Sequence, residues 1–139
     1  MSASAGARIL LAEDEPSIIT SLRFLLGRAG FDVVVESDGT RAVERAFAEA
    51  PALVVLDVMM PGCDGFEALK RLRADPRTER LPVVMLTAKG QREDRDTAMR
   101  LGASAFITKP FSNSEVVEAV RKLATANGAV TPSLPGAGA

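Results

Sequence analysis

The sequence predicts an α/β fold in which five parallel strands alternate with five helices. Short apolar runs rich in Val, Ile and Leu recur along the chain, and segments with apolar residues at helical spacing separate them. Strands that are apolar at nearly every position are buried on both faces, which is typical of a parallel sheet covered by helices on its two sides. The predicted strands are residues 8–12, 31–36, 52–56, 82–86 and 105–108.

Residues with known positional preferences mark the ends of the first two helices. Pro16 suits a first helical turn because its missing N–H needs no partner there, and Gly30 suits the position just after a helix. The apolar residues between them fall on one broad helical face. The second helix is predicted to follow Asp38 and Gly39 and to end at Pro51.

Capping signals and charge patterns mark the remaining three helices. The third is predicted to begin at Asp64, with Glu67 three positions later, which is the spacing of a capping box. The basic side chains of this helix, including Arg73, are expected to face solvent. A charged fourth helix is predicted from about residue 91 to residue 101, and a fifth follows Ser112, where a second capping box occurs.

The bulk composition limits the classes of function. A chain with a net charge of −1 has no basic field that would attract nucleic acid or an anionic membrane. No apolar run approaches the ~20 residues that a membrane-spanning helix needs. Cys63 is the only cysteine, so no internal disulfide can form, which suits the reducing cytosol. We therefore expect a cytoplasmic protein that contacts neither nucleic acid nor a membrane.

The length of 139 residues suits one domain, which we predict to cover residues 7–126. We expect residues 1–6 to be disordered and the Gly-, Ala- and Pro-rich residues 127–139 to form a flexible tail or a truncated linker. The chain would then be either a stand-alone domain or a fragment of a longer protein.

Polar residues at the ends of the strands indicate where the chemistry lies. The chain contains no histidine, so any chemistry must use carboxylates, hydroxyls, amines, a thiol or the backbone. In an open parallel sheet, ligands bind beyond the carboxyl ends of the strands, so polar side chains that follow the strands are expected to converge. The residues concerned are Glu13, Asp14, Asp57, Thr87 and Lys109.

These residue types together suit phosphoryl transfer. Three neighbouring carboxylates repel one another, and Mg²⁺, which prefers oxygen ligands, relieves that conflict. Lys109 and Thr87 add an ammonium and a hydroxyl, and a transferred phosphoryl group needs such partners because its transition state spreads negative charge over three oxygens. Asp57 can then act as a nucleophile.

The same residues lie in motifs that resemble those of the receiver domain of bacterial two-component response regulators. Each motif alone is a weak signal, but their order and spacing over residues 7 to about 125 are specific. The resemblance implies a flavodoxin-like sheet with strand order 2-1-3-4-5 and a phosphorylatable signalling switch in place of a turnover enzyme. The motifs are LLAEDEP (Glu13, Asp14), LDVMMPGCDG (Asp57), MLTA (Thr87) and FITKPF (Lys109, Pro110).

The resemblance also implies the roles of the acidic residues. Asp14 and Asp57 would bind Mg²⁺ directly, and Glu13 would act through a water molecule. The backbone carbonyl of Met59 would complete the protein ligands. Asp57 would accept a phosphoryl group from a phospho-histidine of a sensor histidine kinase or a histidine phosphotransfer protein. The chain itself would catalyse this transfer and then lose the group by slow autodephosphorylation.

The remaining motif residues are implied to report phosphorylation. Thr87 and Lys109 would bind the phosphoryl oxygens, and a cis bond between Lys109 and Pro110 would aim the lysine into the site. Thr87 would then move inward and Phe106 would change rotamer, which alters the surface formed by the fourth helix, fifth strand and fifth helix. We expect a monomer or a weak phosphorylation-dependent dimer, since Ala105 stands where dimerising receivers commonly carry an acid.

Two alternatives belong to other functional classes. A haloacid-dehalogenase-like phosphatase also uses an aspartate nucleophile after a parallel strand, but it needs a second aspartate two positions later, where this chain has Met59. A receiver-like docking domain that is never phosphorylated would not need the complete set of acids, threonine and lysine. Repeated turnover of a phosphorylated substrate would favour the phosphatase.

Overall fold

The computed structural model describes residues 6–87 and 92–126, and these ranges contain the predicted alternation of strands and helices. The strands are β1 (Arg8–Ala12), β2 (Asp32–Glu36), β3 (Leu53–Asp57), β4 (Val83–Thr87) and β5 (Ala105–Thr108). The helices are α1 (Pro16–Arg28), α2 (Gly39–Glu49), α3 (Gly65–Ala74), α4 (Arg92–Arg100) and α5 (Asn113–Ala126). The predicted flexible termini lie outside the described residues, apart from Gly6, and so does residue 91, the predicted start of the fourth helix.

All strand pairings in the sheet are parallel, and the strand order is β2-β1-β3-β4-β5. The predicted fold class and strand order are therefore confirmed. Every residue of β3 and β4 is buried, whereas β2 and β5 at the two edges are only partly covered. The central position of β3 places its last residue, Asp57, between the ends of β1 and β4.

Alternate residues of the strands supply two separate hydrophobic cores, one on each face of the sheet. In β1, Leu10 and Ala12 pack with α2 and α3, whereas Ile9 and Leu11 pack with α1 and α5. Ala98 of α4 joins the first of these cores. This burial on both faces is the reason why the strands lack the alternating polar residues of a half-exposed sheet.

The predicted caps at Asp64 and Ser112 form, but neither capping box shows the return bond to its glutamate among the described residues. The Asp38 carboxylate accepts hydrogen bonds from backbone N–H groups in the first turn of α2. The Asp64 carboxylate accepts one from the N–H of Glu67 at 2.9 Å. The Glu67 side chain, however, accepts from Arg71 Nε at 3.2 Å, so an ion pair on the helix surface replaces the return bond of the box.

Arg73 does not face solvent as predicted. Its side chain is half-buried, and its guanidinium donates to the backbone carbonyls of Gly102, Leu81 and Thr78 at 2.7–3.2 Å. Backbone carbonyls in two loops therefore take the place of water around this cation. As a result, Arg73 connects the end of α3 to the segment between α4 and β5.

The loop between β3 and α3 packs closely on the start of α2. The N–H of Gly39 donates to the carbonyl of Pro61 at 2.9 Å, and a Cβ atom built on Gly39 would overlap the carbonyl oxygen of Cys63. The N–H of Gly65 donates to the carbonyl of Val58 at 2.8 Å. These contacts fix the course of the chain directly after Asp57.

A search of the described helices finds none with both the length and the apolar character that crossing a membrane requires.

Candidate functional site

The carboxyl ends of β1, β3, β4 and β5 bring the predicted polar residues together. Asp57 ends β3 and is only 3% exposed, and Glu13 follows β1 and is fully buried. Backbone bonds align the strand ends: the N–H of Val58 donates to the carbonyl of Leu86 at 3.0 Å, and that of Lys109 to the carbonyl of Thr87 at 2.7 Å. The ends of four strands thus form one cleft edge.

Three carboxylates form an acidic cluster at this edge. One oxygen from each of Glu13, Asp14 and Asp57 lies within 4.8 Å of the others. Glu13 and Asp57 are buried, and Asp14 is exposed at the rim of the cluster. Burial raises the pKa of Glu13 from its ordinary value of 4.5 to about 7, and the negative charge of Asp57 adds to this effect. The fold therefore stores electrostatic repulsion here that a cation would relieve.

Lys109 places its ammonium against the two buried acids. Its Nζ lies 3.3 Å from Oδ2 of Asp57 and 3.6 Å from Oε1 of Glu13. The peptide bond between Lys109 and Pro110 is cis. A single ammonium thus lies within ion-pair distance of two buried carboxylates and neutralises only part of their charge.

The donor set suits a hard divalent cation such as Mg²⁺. Glu13 Oε2 accepts a hydrogen bond from the N–H of Glu15 at 3.1 Å, but Glu13 Oε1 is buried and has no hydrogen-bond partner among the described residues. A buried carboxylate oxygen without such a partner, beside two further carboxylates, offers the all-oxygen environment that Mg²⁺ prefers. The N–H of Met59 donates to Asp57 Oδ1 at 3.3 Å, which keeps that backbone segment next to the cluster.

Thr87 points its hydroxyl at a residue that the sequence analysis did not identify. The side chain is buried, and Oγ1 donates to Oδ2 of Asp94 in the first turn of α4 at 2.9 Å. The position of Asp94 in an acidic first helical turn was visible in the sequence, but its partner depends on how α4 is rotated against β4. Phe106 is half-buried and packs against the core beneath α2, α3 and α4.

A family model of the response regulator receiver domain matches residues 9–121. The chain belongs to this family. Receiver domains are phosphorylatable signalling switches, and the acidic cluster of this receiver domain fits the magnesium site of the family. The phosphatase is therefore set aside as an explanation of the fold and its acidic edge.

Relatives of this receiver domain include bacterial transcriptional regulators. The alkaline phosphatase synthesis transcriptional regulatory protein PhoP of Bacillus subtilis (strain 168) is 42% identical over 126 residues, which cover 91% of this chain and 52% of that protein. The phosphate regulon transcriptional regulatory protein PhoB of Escherichia coli (strain K12) is 41% identical over 114 residues, or 82% of this chain and 50% of that protein. The receiver chain thus spans about half the length of these relatives.

Solved receiver domains share the fold over almost their whole length. The BeF3-activated N-terminal receiver domain of Klebsiella pneumoniae RstA is 33% identical, with a TM-score of 0.78 over 84% of this chain and 97% of that one. The receiver domain of a sensor histidine kinase from Pseudomonas aeruginosa PAO1 is 29% identical, with a TM-score of 0.80 over 86% and 98% of the two chains. That second structure has a magnesium ion coordinated in its active site cleft.

Proposed function

We propose that Asp57 is the phosphoryl acceptor of this switch, and that the switch comprises residues 7–126. The observation that carries the proposal is the contact between Asp57 Oδ2 and the Lys109 ammonium at 3.3 Å, beside two further carboxylates. An acceptor needs an oxygen that is held at the cleft, and the Lys109 ammonium contacts such an oxygen of Asp57. The buried position also limits the access of water to the product.

The proposed step is transfer from a phospho-histidine of a sensor histidine kinase or a histidine phosphotransfer protein. An Asp57 oxygen attacks the phosphorus atom as the bond between phosphorus and the imidazole nitrogen breaks. The electron pair of that bond stays on the imidazole, and the phosphoryl group becomes an acyl phosphate on Asp57. Lys109 Nζ lies near enough to bind a phosphoryl oxygen after the transfer, and Thr87 supplies a hydroxyl from the neighbouring strand end.

Mg²⁺ would be held by Asp14 and Asp57 directly, by Glu13 through a water molecule, and by the backbone carbonyl of Met59. Glu13 Oε1, which is buried and has no hydrogen-bond partner in the described part of the chain, and the clustered carboxylates support this assignment. When bound, Mg²⁺ would supply positive charge that, together with the Lys109 ammonium, balances the negative charge of the phosphoryl oxygens. The chain itself then catalyses both the transfer and a slow autodephosphorylation.

We further propose that phosphorylation is reported by the face that α4, β5 and α5 form. Thr87 would turn toward the phosphoryl group, and Phe106, which packs beneath α4, would change rotamer. The protein would act in the cytoplasm, as a monomer or a weak phosphorylation-dependent dimer, and this chain would not itself contact nucleic acid or a membrane. The net charge of −1 supports that last point.

Phosphorylation from a small donor tests the proposal. The chain is incubated with acetyl phosphate, with Mg²⁺ or with EDTA, and its intact mass is followed. We expect one hydroxylamine-labile phosphoryl group per chain, with Mg²⁺ only, and none on Asp57→Asn. Asp96→Asn, which removes an exposed charge from α4, should behave as wild type. An adduct that forms on Asp57→Asn at the wild-type rate would contradict the assignment.

A further inference from the structure

The hydrogen bond between Thr87 and Asp94 joins the last residue of β4 to the first turn of α4. Thr87 Oγ1 lies 2.9 Å from Oδ2 of Asp94 in a part-buried setting. A hydrogen bond to a carboxylate is stronger than one between neutral groups, and partial burial reduces competition from water. This bond is therefore a substantial restraint on the orientation of the Thr87 side chain.

The same hydroxyl cannot serve two acceptors at once. A threonine hydroxyl carries a single proton, so it can donate either to Asp94 or to an oxygen on the Asp57 side of the strand end. Thr87 lies at the end of the strand beside β3, where Asp57 pairs in register with Leu86. Rotation about the Thr87 side-chain bond would redirect the hydroxyl without any change in the backbone.

We propose that Asp94 is a positioning residue that holds the Thr87 hydroxyl toward α4 and away from Asp57 in the unphosphorylated chain. A phosphoryl group on Asp57 must take the hydroxyl from Asp94, and the loss of that bond releases the first turn of α4 from β4. This inference rests on the proposed function, because it requires a phosphoryl group at Asp57. Asp94 thus opposes switching, and its removal makes switching easier.

Among the residues that the structure describes, few other contacts of α4 would hide the effect of losing this bond. The helix has a polar sequence, and of its side chains that the structure describes only Ala98 is fully buried. Its far end is followed by the Gly102 carbonyl, which accepts from Arg73 Nε at 3.0 Å. The first turn and the segment after the last turn are thus held by different side chains, so the first turn can be released while the other end stays attached.

A comparison of Asp94→Ala with Glu93→Ala tests the inference. Both substitutions remove one negative charge from the first turn of α4, but Glu93 is exposed and only Asp94 accepts from Thr87. Beryllofluoride with Mg²⁺ serves as the probe, and the backbone amide shifts of β5 report the switched state. We expect Asp94→Ala to reach half-conversion at a beryllofluoride concentration about tenfold lower than wild type needs. A tenfold change corresponds to the low end of the energy range for one hydrogen bond to a charged group. Glu93→Ala should match wild type.

Repeating the comparison in a chain that carries Thr87→Ala shows whether Asp94 acts through the Thr87 hydroxyl or has a general effect on α4. If Asp94 acts through the Thr87 hydroxyl, adding Asp94→Ala to Thr87→Ala has no further effect on half-conversion. A tenfold effect that persists without the hydroxyl overturns the inference, and so does an equal effect of Glu93→Ala. Three-bond couplings of the Thr87 methyl group in the unmodified chain give a second readout, which should change in Asp94→Ala only.

The outcomes for the function and for the inference can be told apart. If wild type responds to beryllofluoride and Asp94→Ala responds at the same concentration with unchanged Thr87 couplings, the inference is wrong and the proposed function stands. If wild type shows no response to beryllofluoride or acetyl phosphate, the proposed function is wrong and the inference falls with it.

Discussion

The two sides of the cleft are held in different ways. On the side of β1 and β3, the acids are buried and the loop after Asp57 is fixed by backbone bonds to α2 and by the close approach of Gly39 to Cys63. On the side of β4, a side-chain hydrogen bond from Thr87 to Asp94 joins the strand end to α4. The first side is built by backbone packing and the second by an exchangeable contact.

The difference suits the roles that we propose for the two sides. A metal and a phosphoryl group need ligands that keep their positions, and backbone packing provides this because it has no alternative arrangement of similar energy. A switch needs an element whose contacts can be exchanged at low cost, and elements with few buried apolar contacts meet that need. If the roles that we propose are right, the fold combines an acceptor side fixed by backbone packing with a reporting side whose contacts can be exchanged.

The largest expected effect comes from adding a side chain at Gly39, where the backbone of another segment lies too close for one. Its backbone conformation is open to alanine, so the cost of Gly39→Ala arises from overlap with the Cys63 carbonyl. We expect a loss of about 3 kcal/mol in the free energy of unfolding, the upper part of the range for overpacking, and weaker Mg²⁺ binding. Chemical denaturation and a Mg²⁺ titration monitored by NMR would measure both.

Gly27→Ala is the matched control for that substitution. A Cβ atom there meets none of the described residues within 4 Å, and Gly27 lies inside α1. Alanine should therefore stabilise the chain by about 0.5–1 kcal/mol through its higher helix propensity. Equal effects at the two glycines would contradict the claim that the loop after Asp57 is fixed by close packing on α2.

A second prediction concerns the pH dependence of stability on the acidic side. Because burial raises the pKa of Glu13 to about 7, the unfolded chain releases this proton near pH 4.5 while the folded chain keeps it. In EDTA, the contribution of Glu13 should lower the free energy of unfolding as pH rises from about 4.5 to 7, by at most roughly 3 kcal/mol, and then level off.

Two measurements check the origin of this slope. Glu13→Gln should remove it, since the amide does not titrate. Saturating Mg²⁺ should reduce it in wild type, because the ion binds the ionised carboxylates of the folded chain only. If the free energy of unfolding of Glu13→Gln falls with pH as steeply as that of wild type, Glu13 is not the source of the slope.

A smaller effect is expected at the end of α3, where Arg73 binds the Gly102, Leu81 and Thr78 carbonyls. Arg73→Ala should lower the free energy of unfolding by about 2 kcal/mol, because several hydrogen bonds from a charged donor are lost. Arg71→Ala on the same helix breaks an exposed pair with Glu67 and should cost less than about 0.5 kcal/mol. Thermal or chemical unfolding measures both variants, and equal losses in the free energy of unfolding would contradict this ranking.

The fold and the strand-end residues were accessible from the sequence for a physical reason. A strand buried on both faces is apolar at nearly every position, so its length and its end can be read directly. Asp57, Thr87 and Lys109 mark the points where those apolar runs stop, and parallel strands bring such points to one edge. The residue pattern thus predicted both the sheet and the cleft at its edge.

The contacts of Arg73 and Asp94 were not accessible in the same way. Arg73 binds backbone carbonyls, one of them 29 residues away, and a carbonyl leaves no trace in the sequence. The bond of Asp94 depends on the rotation of α4 and on a threonine rotamer. The Glu67 carboxylate likewise accepts a hydrogen bond from Arg71 in place of one from the start of its helix. Selection among several available partners is decided by tertiary geometry, which residue spacing alone does not encode.

Chemical mapping of the phosphorylated residue tests the central claim most directly. After treatment with acetyl phosphate and Mg²⁺, borohydride reduces an aspartyl phosphate to homoserine, which mass spectrometry of the resulting peptides can locate. The account predicts homoserine at position 57 only, and none when EDTA replaces Mg²⁺. Homoserine at position 14 in place of position 57, or no reduced residue at all in wild type, would contradict it.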